Sequence, residues 1–308
     1  MRAKPHNRNQ KKMQYYDSAT VLYLNGKFIK AAEAKTSLYS QSLHYGYAVF
    51  EGIRAYNTHN GTRIFKAKEH YDRLQRSAEL MHIPFPFDKN ELIKQTYKLL
   101  EKNNIKDAYI RPLVYCAPNM TLSAATEVSI LICAWEWGAY LGNALQKVCV
   151  SSYQRPNPKS THVEAKASGH YVNSILATTE AKSKGFDEAI LLDMNNNIAE
   201  APGANIFIEK NGKLYTPPLG NILPGITRAT VLRLCKTLDI ECIEKHLSVD
   251  DLKSADSAFF CGTAVEIAGI ASIDDTVFPA IWTETLGATL QRTYKALVLE
   301  KQNYEVII

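Results

Sequence analysis

Apolar and polar residues alternate in short runs along most of the chain, a pattern that predicts many brief strands and a few helices. Residues 20–30 (TVLYLNGKFIK) form two β-rich runs split by Asn25-Gly26, which predicts a hairpin. From Glu69 to His82 the helical period puts Tyr71, Leu74, Ala78 and Met81 on one stripe, and Pro84 and Pro86 end it. From Asp88 to Asn103 a second helix opens with Asp88 and Glu91 at capping-box spacing and turns Leu92, Ile93, Leu99 and Leu100 inward. Strand-like runs at 108–116 and 127–135 flank a turn-rich loop around Pro118, Asn119 and Thr121. These elements make an α+β first half.

Residues 138–145 (GAYLGNAL) are a Gly-bounded connection and the predicted boundary. The expected division is a basic tail at 1–17, a small N-terminal α+β domain at 18–137, an interdomain loop at 138–146 and a large C-terminal domain at 147–308. In that second half, strands are expected at 147–153, 188–193, 204–209, 213–217, 240–246 and 258–261. Helices are expected from Val172 to Gly185, from near Thr227, and from Trp282 to Gln302. The many short antiparallel signals argue against a doubly wound parallel sheet.

Composition narrows the class. Of 308 residues, 46% are hydrophobic and 22% charged, which excludes a disordered chain, a collagen and a small disulfide scaffold. The net charge of +5 changes meaning once it is located. Arg2, Lys4, Arg8, Lys11 and Lys12 stand in the first 12 residues with no acid among them, and the remainder is formally neutral. A basic arm suits nucleic acid, a membrane surface or targeting, but a disordered extension explains it more simply. No apolar run approaches the roughly 18 residues of a membrane span. The cysteines at 116, 133, 149, 235, 242 and 261 lack metal-like spacing and sit mostly in apolar runs. They read as reduced core thiols of a cytoplasmic protein, with no metal site and neither a nucleic-acid nor a membrane partner.

Several segments carry candidate chemistry, and each alone also fits an ordinary structural role. Lys166, in VEAKASGHY, is flanked by small residues, which lets an amine enter a pocket and lose solvation. In LPGITRAT (223–230), Pro224-Gly225 make a turn and a helix begins at Ile226 or Thr227, leaving N–H groups free for an anion. In CGTAVEI, Gly262, Thr263 and Ala264 follow a strand and can present backbone N–H groups. Glu200 precedes Pro202-Gly203 at the start of an apolar strand. Arg73 lies beside its helix stripe, as a solvated residue or a phosphate clamp. Arg111, inside YIRPL, requires an anionic partner if buried. Together these are the parts of a pyridoxal phosphate site.

At this point the chain resembles the fold-type IV, or class IV, aminotransferases, and among them the branched-chain amino-acid aminotransferases. The matching stretches run from HYGYAVFEGIRAY through EHYDRL, AYIRPL, WGAYLG, EAKASGHY, AEAPGANIF and LPGITRAT to CGTAVEI, in family order. The resemblance implies two α/β domains with mainly antiparallel sheets or a barrel, and a pyridoxal 5'-phosphate cleft between them. It implies a reversible, ping-pong transamination of leucine, isoleucine or valine with 2-oxoglutarate. Lys166 would form the Schiff base and move the proton. Glu200 would hold the pyridine nitrogen, Tyr171 would stand near the ring hydroxyl, and Arg73, Leu223, Ile226, Thr227 and Thr263 would bind cofactor around its phosphate. Tyr45, Phe50, Gly52, Tyr109 and Tyr140 would form the substrate pocket, with Tyr45 given across a homodimer or dimer-based oligomer. Arg111 would accept the side-chain carboxylate of glutamate, and Gly262 and Ala264 the α-carboxylate. D-amino-acid aminotransferase and 4-amino-4-deoxychorismate lyase share the implied fold, but FEGIRAY and YIRPL favour the branched-chain reading. His170, Ala204 and the loop CAPNMTLSAATE depart from the family pattern.

Overall fold

A computed structural model describes residues 15–137 and 144–300, and every statement below concerns those residues. Tyr140 and most of the expected tail and interdomain loop lie outside them.

The first half contains β1 (Val21–Leu24), β2 (Lys27–Lys30), α1 (Gln41–Tyr45), β3 (Ala48–Phe50), β4 (Ile53–Thr58), β5 (Gly61–Ile64), α2 (Ala67–Leu80), α3 (Lys89–Lys102), β6 (Ala108–Cys116) and β7 (Val128–Trp135). Its strands form one sheet in the order β2-β1-β7-β6-β4-β5, with β3 also paired to β6. The expected hairpin is present, with Asn25 and Gly26 both at positive φ. Apolar stripes on α2 and α3 bury Tyr71, Leu74, Ala78, Leu92, Leu99 and Leu100 against the sheet. Only one half of the expected capping box forms: the Asp88 carboxylate accepts the Glu91 N–H.

The second half contains β8 (Gln146–Gln154), α4 (Tyr171–Ser183), β9 (Glu188–Leu192), β10 (Ile198–Glu200), β11 (Asn205–Lys210), β12 (Lys213–Thr216), α5 (Ile226–Thr237), β13 (Cys242–Glu244), α6 (Val249–Lys253), β14 (Ser257–Gly262), β15 (Glu266–Ile273), β16 (Thr276–Val277) and α7 (Leu286–Val298). Its sheet runs β10-β9-β8-β15-β14-β11-β12-β13, with β16 on β15. Pairing is mostly antiparallel, with parallel pairs β8–β9, β8–β15 and β12–β13. The whole is α+β with two sheets, as expected.

Three expectations change. The final helix does not start at Trp282: residues 282–284 form a 3₁₀ turn, and Thr285 caps α7 with its side chain. The run expected as a strand over 240–246 is cut to three residues beside β12. β15 was not expected. Its sequence, EIAGIASI, is apolar but carries Gly269, and no alternation marks it because both of its faces are largely buried. A Cβ at Gly269 would stand 2.7 Å from the Trp282 ring, so close packing accounts for the glycine.

The two halves share packing. Tyr56 and Phe65 from the first half pack in a cluster with Phe207, Phe259 and Tyr294 from the second, and Ala167 joins the first-half core. Many of the chemistry-bearing side chains singled out from the sequence meet at the seam between them.

Candidate active site

Lys166 lies in the loop between β8 and α4, and the first half grips that loop. The Lys166 N–H donates to Ser77 Oγ of α2 at 3.0 Å, and its carbonyl accepts the Phe50 N–H of β3 at 3.1 Å. Ala165 and Ala167 are both buried, so the lysine backbone is fixed and its side chain leaves into a cavity. Its Nζ donates to Tyr171 Oη at 2.7 Å. The cavity has a volume of about 260 Å³ and is walled by both halves.

Glu200 ends β10 and is 5% exposed. The Leu223 N–H donates to its Oε1 at 3.1 Å, and Asn205 Nδ2 donates to its Oε2 at 2.9 Å. Arg155 Nε forms an ion pair with Oε1 at 2.9 Å. Burial pushes the Glu200 carboxyl above its ordinary value, opposed by the Arg155 charge and the Leu223 N–H. Asn205 also donates to the Leu223 carbonyl, tying the carboxylate to the turn that starts α5. That turn needs Gly225, since a Cβ there would fall 1.9 Å from Asn205 Oδ1.

At the start of α5 no side chain caps the helix, so its first N–H groups and Thr227 line the cavity uncapped. Arg73 projects from α2 to the same end, where its Nη1 donates to the Pro224 carbonyl at 2.9 Å. It is not a solvated surface residue: its side chain is 10% exposed and pairs with Glu51. Gly262 ends β14, Thr263 and Ala264 lead on toward β15, and the three close this part of the wall. A Cβ at Gly262 would stand 3.2 Å from the Gly203 carbonyl oxygen, so the two walls approach closely there.

The opposite wall is aromatic. Phe50 packs edge-on against Tyr171 with centroids 4.7 Å apart. Tyr109 lies within 4.6 Å of Trp137 and 5.2 Å of Trp135, centroid to centroid. Gly52 is required by this packing, because a Cβ would stand 1.9 Å from Tyr109 Oη. The Arg111 guanidinium lies 4.5 Å over the Phe50 ring, and its Nη2 donates to Tyr109 Oη at 3.2 Å. Its Nε is buried with no hydrogen-bond partner among the described residues.

Of the residues expected from sequence, the cavity gathers Phe50, Gly52, Arg73, Tyr109, Arg111, Lys166, Tyr171, Glu200, Leu223, Ile226, Thr227, Gly262, Thr263 and Ala264. Tyr45 is not among them. It is 46% exposed, and its hydroxyl donates to the Met120 carbonyl at the surface. The cavity also contains Arg155, Asn205 and Trp137, which sequence reasoning missed, as it missed Glu51 and His70 behind Arg73. Trp137 stands at the head of WGAYLG and Glu51 inside FEGIRAY, so the quoted stretches held a signal for both. Arg155 sits in an unremarkable polar loop. His170 and Ala204 both line the cavity; burial and the Arg155 charge hold the His170 imidazole below its ordinary pKa. Among the described residues no group of three His, Cys, Asp or Glu is placed to hold a metal ion, and no helix is long and apolar enough to cross a membrane.

The amino-transferase class IV family model matches residues 48–273. A branched-chain-amino-acid aminotransferase of Pseudomonas aeruginosa is 40% identical over 295 residues, covering 94% of this chain and 96% of that protein. A branched-chain aminotransferase from the archaeon Thermoproteus uzoniensis, solved with norvaline, superposes with a TM-score of 0.89 at 38% identity, covering 92% of this chain and 96% of that one. A branched-chain amino acid aminotransferase from Thermobaculum terrenum, solved in its PLP holo-form, gives a TM-score of 0.87 at 31% identity, covering 92% of this chain and 95% of that one.

Proposed function

The chain belongs to the class IV family of pyridoxal-phosphate-dependent aminotransferases, and from that premise we propose that it transaminates leucine, isoleucine or valine reversibly with 2-oxoglutarate. The single observation that carries this reading is one cavity joining a lysine amine, a buried carboxylate, an uncapped helix start and an arginine set among aromatic rings.

Pyridoxal phosphate fits these residues. The uncapped start of α5 and the Arg73 guanidinium make a cup for a phosphate, with Thr263 beside it. The buried Glu200 carboxylate suits a protonated ring nitrogen, and Tyr171 suits the ring hydroxyl. When bound, the cofactor supplies an aldehyde carbon and an electron-withdrawing ring. Lys166 is the residue that would hold the cofactor aldehyde through Nζ. The same Nζ would take the proton from the amino acid Cα and give it back to carbon, acting as base and then acid. Tyr171 Oη, 2.7 Å away, orients that amine.

One pocket must receive an aliphatic side chain in one half-reaction and a carboxylate in the other. Phe50, Tyr109 and Trp137 offer the apolar wall. Arg111 offers its unpartnered Nε–H to the carboxylate of glutamate, which would otherwise be costly to bury. The backbone at Gly262 and Ala264 serves the α-carboxylate.

A homodimer is the proposed assembly. Leu38, Tyr39, Leu43, Tyr45, Met120 and Leu122 form an exposed apolar surface where α1 meets the loop after β6. Tyr45, on this surface, is proposed to serve the partner's substrate pocket, and Tyr140 is proposed as a further substrate-binding residue. The domain boundary is proposed within 138–146, between the last strand of the first sheet and the first of the second. The free cysteines suit a cytoplasmic location.

The test is spectroscopic. Purified protein should be yellow, lose that colour on L-leucine alone and regain it with 2-oxoglutarate. Colour change with D-alanine and not with L-leucine would overturn the reading.

A further inference from the structure

Behind the cavity wall stands a carboxylate to which the chemistry above assigns no role. Glu51 lies between Phe50 and Gly52, which both line the cavity, yet its own side chain is fully buried behind the wall. Its Oε1 accepts Arg73 Nε–H at 2.6 Å and its Oε2 accepts Arg73 Nη2–H at 2.9 Å. The pair is therefore bidentate, the geometry that fixes both the plane and the rotation of a guanidinium. His70 Nδ1, also buried, lies 2.7 Å from Oε2, which accepts the Gly52 N–H at 3.2 Å as well, so the carboxylate is itself held in place.

The donor inventory of Arg73 gives this arrangement its meaning. A guanidinium carries five N–H groups. Glu51 takes one from Nε and one from Nη2, and the Pro224 carbonyl takes one from Nη1. One N–H remains on each terminal nitrogen, on a side chain that lines the cavity beside the start of α5. A lysine in the same place would supply a charge but no fixed pair of directions.

We propose that Glu51 is the positioning residue of the phosphate cup: it locks Arg73 so that two N–H groups, one on each terminal nitrogen, are presented to a phosphate monoester. This deepens the cofactor reading above and rests on it. Glu51 touches neither cofactor nor substrate, so its loss weakens recognition of the phosphate and not of the pyridine ring.

The experiment measures binding of pyridoxal phosphate and of pyridoxal, which lacks the phosphate, to apoprotein by absorbance titration. Wild type, Glu51→Gln, Arg73→Gln and the double variant are compared. Glu51→Gln is expected to weaken pyridoxal phosphate by about 10- to 100-fold, the scale seen when the outer partner of a metal-ligating side chain is lost. Pyridoxal should change by less than about threefold, since its contacts are untouched. In the Arg73→Gln background the Glu51 substitution should cost nothing further, because its only route to the phosphate is gone. Equal weakening of both compounds, or full additivity in the double variant, overturns the proposal. If Glu51→Gln fails to fold, Glu51→Asp carries the same readout, because the shorter arm cannot keep both bonds; unchanged discrimination there overturns the proposal too. Wild-type apoprotein that binds neither compound would overturn the cofactor reading itself, an outcome distinct from a loss confined to the Glu51 variants.

Discussion

The carbonyl oxygen of Gly46 accepts the N–H of Gly169 at 2.9 Å, and a Cβ at Gly46 would stand 2.8 Å from the Gly169 Cα. This contact joins the end of α1 to the segment that carries Lys166. Gly46 also has a φ of +65°, where a side chain is strained in any case. Two penalties therefore meet at one residue.

Gly46→Ala should destabilise the protein by more than about 2 kcal/mol and lower turnover, since the lysine segment must shift. Gly26→Ala is the control. Gly26 has a φ of +88° with nothing within 4 Å of an added Cβ, so only the backbone strain of about 1 kcal/mol applies. Thermal melts and initial rates of both variants separate the clash from the strain. Equal losses would mean that the close approach is unimportant.

Lys166→Ala should abolish the yellow colour and reduce turnover by at least about 100-fold, the low end for loss of an acid–base group. The fold should survive, because the contacts that tie this segment to the first half are made by the Lys166 backbone, and its side chain gives up only its bond to Tyr171. Absorbance spectra and steady-state rates, together with circular dichroism, check both halves of that expectation.

Arg111→Leu should impair glutamate far more than leucine. Losing one member of a buried charged pair costs about 2–5 kcal/mol, which places the glutamate half-reaction down by roughly 30-fold or more. The leucine half-reaction should stay within a few-fold, because the substituted aliphatic side chain would still pack on Phe50. Single-turnover rates with each amino acid read the two halves apart, and equal losses would remove Arg111 from its role.

Acid should weaken the fold in two stages through His70 and Glu51. Burial holds the His70 imidazole below its usual 6.5, so the unfolded chain takes up a proton first and stability falls as pH drops below about 6.5. Burial alone would raise the Glu51 carboxyl, but Arg73 and His70 outweigh it and hold it below its usual 4.5. A second loss therefore sets in below about 4.5. Melting temperatures measured from pH 8 to 4 should show the first decline in wild type and a shallower one in His70→Gln. An unchanged slope in that variant would assign the decline to other groups.

Much of the fold was legible because its signals are local. The Asn25-Gly26 hairpin, the Tyr71-Leu74-Ala78 stripe and the Asp88 cap each depend on residues a few positions apart, and each formed. β15 escaped notice because a strand buried on both faces has no alternation to read. Arg155 escaped because nothing near it in the chain marks a loop arginine as the partner of Glu200.

By itself the sequence determined which residue types are available and where turns place them: a lysine among small residues, a glycine before a helix start, a carboxylate ahead of a Pro-Gly turn and an apolar strand. Only the tertiary structure decided which of these meet. Lys166 is held by Ser77, 89 residues away, and Arg73 reaches Pro224 across 151 residues. It alone settled that Arg73 is a buried side chain paired with Glu51 rather than a solvated one, and left Tyr45 at the surface. The reason is physical. Propensity and capping act within a turn or two of chain. Burial, ion pairing and close backbone approach depend on distances in space, which are set only when the two sheets pack together.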